Sequence, residues 1–168
     1  MRSTFAFGLF TSFLVLSPLV GLTGACSNDD DCALSQCINN VNVYLRVALP
    51  ADAMRESTLK VCRNSVCSSG KAEFLPAFAG DRQKVIVSGP LTTDMSVDVA
   101  EPGKSYSIAA TIPLDATTLD PAKDLYELRV LRNGTEVRGL AELAKYQEST
   151  PNGPTCPTVC TNATIGTP

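Results

Sequence analysis

Apolar residues fall on every second position in several stretches of this chain. Val41, Val43, Leu45 and Val47 alternate with Asn42, Tyr44, Arg46 and Ala48, and Pro50 stops the run. A period of two sets one side of a strand against a core and the other in water, so the pattern predicts a half-buried strand. Similar windows predict strands over 58–63, 71–75, 83–88, 95–99, 106–112 and 125–131. Turn material separates them: Ser68-Ser69-Gly70, Gly80-Asp81, Ser88-Gly89-Pro90 and Glu101-Pro102-Gly103-Lys104. Asn133-Gly134 follows Leu131; this pair is the strongest short hairpin signal, because both residues tolerate positive φ. Residues 139–149 carry Leu140, Leu143 and Ala144 at helical spacing, yet a strand continuing the hairpin fits the neighbours better, and the segment is read as strand. A last strand is expected over 161–165. Strands at this spacing with few helical windows predict an all-β fold, an antiparallel sandwich or barrel.

The start of the chain follows another rule. After Arg2 comes an uncharged run over 5–22, broken near its end by Pro18 and Gly21, and then Thr23, Gly24 and Ala25. That order is the pattern of a secretory signal. A run this long could also remain as a membrane-spanning helix; its Gly, Ser, Thr and Pro content and small-residue ending favour cleavage. The expected organisation is a signal peptide over 1–25, a polar cysteine-bearing tether over 26–40 and one sandwich domain over 41–168. Leu22-Thr23-Gly24-Ala25-Cys26 resembles the lipobox of bacterial lipoproteins, with Thr23 where that family usually has Leu. The resemblance implies diacylglycerol on the sulfur of Cys26, and a place at the bacterial outer membrane or cell surface. Thr23 and Ala25 would equally suit an ordinary signal peptidase, which would leave Cys26 unmodified and the protein periplasmic or extracellular.

The chain has 7 Cys, and an odd number in an exported protein leaves one thiol over. Lipidation of Cys26 removes the remainder, leaving Cys32, Cys37, Cys62, Cys67, Cys156 and Cys160 to pair as structural disulfides. One pair has a local rationale. If Asn64-Ser65 is a two-residue hairpin loop, Arg63 opposes Val66 and Cys62 faces Cys67 across the strands, within disulfide reach. If the last strand runs beside 41–48, Cys37 could meet Cys156 or Cys160; the remaining pairings stay open. The stretch from Cys26 to Cys32 is also similar to small cysteine-rich repeats spaced C-x-x-D-x-D-C, which would make Cys26 a disulfide partner instead.

Charge and composition exclude more than they select. The full chain is −3 and its leader carries Arg2 and no acid, so the mature chain is slightly more acidic. With its basic residues scattered singly, nucleic acid is not an expected partner. There is no His, which excludes Ser-His-Asp and Cys-His catalysis and removes the commonest transition-metal ligand. Asp29, Asp30 and Asp31 could suggest calcium, but they lack spaced ligands and a distal Glu, so they read as a solvated part of the tether. Asp94 with Asp98, or Asp115 with Asp120, could be proposed for acid–base work. Aromatic content of 6% is lean for a sugar cleft, and these acids read as surface groups. No cofactor motif and no metal site is expected. The sequons at Asn133 and Asn162 read as incidental in a bacterial protein.

Leu119-x-Pro121 before Tyr126-x-Leu128-x-Val130 resembles the tyrosine corner of immunoglobulin-like and fibronectin type III sandwiches. The resemblance implies that the disulfide-stabilised fold is of that kind, with the Tyr126 hydroxyl bonding back across a sheet connection. The functional expectation is a non-enzymatic, exported, lipid-anchored structural or binding protein of the bacterial envelope. Its partners are the membrane, through Cys26, and a protein or envelope component met by the sandwich loops. The alternative is a soluble secreted inhibitor or ligand-binding module.

Overall fold

The alternating segments become strands, because each can bury one face only against another sheet. The computed structural model describes residues 38–72, 80–115, 118–151 and 159–168. The leader and Cys26, Cys32, Cys37 and Cys156 lie outside these residues. The strands are β1 Asn40–Ala48, β2 Thr58–Arg63, β3 Val66–Lys71, β4 Arg82–Val85, β5 Asp94–Glu101, β6 Ser105–Pro113, β7 Leu125–Arg132, β8 Thr135–Leu143, β9 Gln147–Ser149 and β10 Cys160–Ile165. A one-turn helix, α1, spans Ala51–Arg55.

Two sheets form, one ordered β4-β5-β6-β1-β10-β9 and the other β3-β2-β7-β8. Neighbours are antiparallel except β1 and β10, which run parallel over Asn40↔Asn162 to Val43↔Ile165. Val41, Val43, Leu45 and Val47 of β1, Ile108 and Ile112 of β6, and Tyr126, Leu128 and Val130 of β7 face inward and are almost fully buried. The alternation read from the sequence is therefore the inside–outside alternation of two facing sheets. Leu140, expected on a strand, does lie on one: 139–149 contributes the end of β8 and then β9.

Three expectations are corrected. Ser68-Ser69-Gly70 is not a turn; it lies within β3, with Ser69 opposite Lys60 and Gly70 opposite Leu59. Gly70 is there because a Cβ would collide with the carbonyl oxygen of Ile86, so this glycine serves close approach and not chain reversal. The strand expected over 71–75 is displaced accordingly: Lys71 ends β3, Ala72 follows it, and 73–75 lie outside the described residues. The strand expected over 83–88 is shorter, ending at Val85, with Ile86 exposed and Ser88 making a single bridge to Ser69.

Helix α1 was not foreseen, since one turn is too short to show a period. Its residues are good helix formers, its Met54 and Ala53 are buried, and the Ser57 hydroxyl donates to the Ala53 carbonyl at 2.7 Å. It carries the chain from the larger sheet to the smaller one. Both hairpins turn as the sequence indicates: Asn64 and Ser65, and Asn133 and Gly134, all have positive φ, as type I′ turns require.

Candidate functional site

The sandwich has two ends with different chemistry. At the near end, where β1 begins, Asn40 opposes Pro113 and Leu114 donates its backbone N–H to the Asn39 carbonyl. The loop from β6 to β7 and the Asn64-Ser65 turn lie here too. Asp124 is the centre of this end: its carboxylate is buried, and every direction around it is occupied. Arg63 donates to both oxygens, through Nε at 3.3 Å and Nη2 at 3.0 Å. Asn64 Nδ2 donates at 2.8 Å, the Tyr146 hydroxyl at 2.6 Å and the Asp120 backbone N–H at 3.0 Å. Because the single Tyr146 proton goes to the carboxylate, the Tyr126 hydroxyl, 3.1 Å away, donates to Tyr146.

Burial pushes the Asp124 pKa up. The Tyr146 hydroxyl, the Asp120 N–H, Arg63 and Asn64 together outweigh it and hold the carboxyl down at about 2. The same contact works the other way on the phenol: burial, then the bonds to Asp124 and Tyr126, push the Tyr146 pKa up. Asp124 is thus a fully committed anion with no lone pair turned outward. It fastens the β6–β7 loop and Tyr146, which follows β8, to the β2–β3 turn. The tyrosine-corner reading gains only its position, since the Tyr126 hydroxyl meets a second tyrosine instead of upstream backbone.

Cys62 and Cys67 are bonded, opposite each other in the hairpin register with Cα atoms 4.1 Å apart. Cys160, at the start of β10, is also disulfide-bonded. The other cysteines, including the proposed lipid site Cys26, lie outside the described residues.

Of the candidate carboxylate pairs, Asp94 and Asp98 are held apart and each is tied to a cation. Asp94 and Asp98 lie on the outer face of β5, four residues and so about 13 Å apart along the strand. Lys84 pairs with Asp94 at 2.6 Å, and Arg82 with Asp98 at 3.1 Å. Asp115 and Asp120 both lie in the β6–β7 loop; Asp120 accepts from the Ala122 N–H and pairs with Lys123, each at 3.1 Å. Among the described residues no group of three or more acids and cysteines could hold a metal ion.

The far end, where β1 finishes, holds a groove of about 760 Å³ lined by Arg46, Val47, Ala48, Leu49, Glu101, Lys104, Ser105, Val137 and Arg138. Its origin is topological. β6 pairs with β1 along its whole length, from Asn40 to Ala48, but β10 pairs with it only as far as Val43. Beyond that point β10 ends and the chain turns away at Gly166, whose φ is +74° and whose Cβ would collide with the Tyr44 carbonyl oxygen. Residues 45–48 of β1 are left with one sheet edge open among the described residues. Arg46 from that strand, Lys104 from the β5–β6 turn and Arg138 from β8 line the groove, none of them in an ion pair with a described acid. Among the described residues the Ser105 hydroxyl on the groove wall is buried without a hydrogen-bond partner, a state that costs about 1–3 kcal/mol.

Sequence reasoning missed both Asp124 and this groove. Asp124 is 61 residues from Arg63, and the groove residues come from four strands and a turn. No protein-family model, curated protein or solved structure matches this chain.

Proposed function

We propose that this chain is a non-enzymatic, exported binding protein of the bacterial envelope, tethered through lipid on Cys26 and presenting its sandwich to the surroundings. What supports the reading is the polarity of the domain. β1 starts at the near end, directly after the tether, and runs for nine residues, about 30 Å, to the groove. A lipid at Cys26 would lie at most about 40 Å of chain from Ile38, a reach that keeps the whole domain beside the membrane. The near end is closed on itself; the far end offers cations and backbone for contact.

We also read the sandwich as immunoglobulin- or fibronectin III-like in kind, on the strength of its two mainly antiparallel sheets and of Tyr126 near the start of β7. Intact mass of the protein from its native membrane fraction, without reduction, tests the anchoring. Acyl mass on a chain beginning at Cys26 is the expected result. An unmodified chain released without detergent would overturn it and favour the second reading, a soluble secreted inhibitor or ligand-binding module, which the fit of Thr23 and Ala25 to an ordinary signal peptidase supports.

A further inference from the structure

Resting on the binding reading above, we propose that the far-end groove is a strand-addition site for an extended acidic segment of a partner protein. The segment would pair with the open edge of β1 over residues 45–48, taking the place that β10 vacates beyond Gly166. Every second residue along a strand aims its N–H and C=O at a given edge. Sheet edges with unpaired backbone groups recruit extended peptides by main-chain hydrogen bonding, and the side chains beside the edge supply selectivity.

Here selectivity would come from charge. Three cations and one acid, Glu101, line the groove, so it holds an excess of positive charge in a chain whose overall charge is negative. Most other described basic side chains have already found a carboxylate: Arg63, Arg82, Lys84, Arg129 and Arg132 all sit in ion pairs. A single charged residue on an open edge is a common guard against stray pairing. Cations lining one groove from β1, from a turn and from the opposite sheet exceed that need. Acids on the outer face of an added strand would meet Arg46, and acids on its inner face would meet Arg138. Val47, Leu49 and Val137 supply apolar contact between them. An isolated oxyanion would leave most of a groove this size, and all of the open edge, unused.

The test is a fluorescence-anisotropy titration with the full mature protein held in detergent. The probe is a short labelled peptide alternating aspartate and valine. Saturable binding is expected, weakened about tenfold when asparagine replaces aspartate, and abolished when alternate amides of the peptide are N-methylated. Arg138→Ser, shown by circular dichroism to be folded, should weaken binding by a similar factor. The N-methylated peptide needs no variant, so misfolding cannot imitate its result. Absence of binding, binding unaffected by N-methylation, or displacement by millimolar inorganic phosphate would each overturn strand addition. Anchoring is read from mass and not from binding, so failure of the peptide leaves the tether standing, and an unlipidated chain leaves the titration valid.

Discussion

The two ends of the sandwich solve the problem of polar groups in opposite ways. At the near end Asp124 is buried among donors that are themselves positioned, and Arg63 keeps a further bond to the Thr118 carbonyl at 2.8 Å. At the far end, among the described residues, Arg46, Lys104 and Arg138 share a groove without carboxylate partners, Ser105 is buried without a bond, and one edge of β1 is open. Satisfied networks rigidify a fold. The exposed cations and open edge at the far end are left to solvent, and of the groups there only the buried Ser105 hydroxyl is a cost to the free protein. The contrast separates what holds this domain together from what it has to offer.

The largest effect should come from the near end. Asp124→Ala leaves the Arg63 guanidinium partly buried without its anion and should cost about 3–5 kcal/mol, read as a lowered urea midpoint. A loss below about 1 kcal/mol would mean that water replaces the carboxylate and that the two ends differ less than they look.

Acid should act on the same end. The folded Asp124 pKa, about 2, lies below the ordinary value near 3.9. Its contribution is therefore fully present above about pH 5 and is lost as pH falls toward about 2. Some 2–3 kcal/mol of stability should disappear across that window. Urea midpoints measured from pH 6 to pH 2 should show the loss in the wild type and little of it in Asp124→Asn.

Next comes the hairpin staple. Cys62 and Cys67 close a short loop, with a sequence separation of 5. Replacing both with Ser should cost about 2 kcal/mol by the chain-entropy relation. The difference should shrink when wild type and variant are compared under full reduction.

The smallest effect should come from the far end. Arg138→Ser removes a cation with no ion-pair partner and should change stability by less than about 0.5 kcal/mol, while weakening acidic-peptide binding. A larger destabilisation would show that the groove cations hold the sheets together, erasing the contrast.

Local pattern determined much of this protein. Alternation placed β1, β2, β5, β6 and β7 because each strand's burial repeats every second residue. Asn133-Gly134 placed the β7–β8 turn, and the Asn64-Ser65 spacing brought Cys62 opposite Cys67, because hairpin register is a short-range property. Tertiary structure decided the rest. Ser68-Ser69-Gly70 reads as a turn until Ile86 packs against Gly70 and the segment pairs with β2. Asp124 reads as one acid among many until Arg63, Asn64 and Tyr146 arrive from distant strands. The groove exists only because β10 stops short of β1's end, a difference in pairing length that no local window contains. Periodicity records which face of a strand is buried; which side chains meet across the sandwich is fixed only when the sheets close on each other.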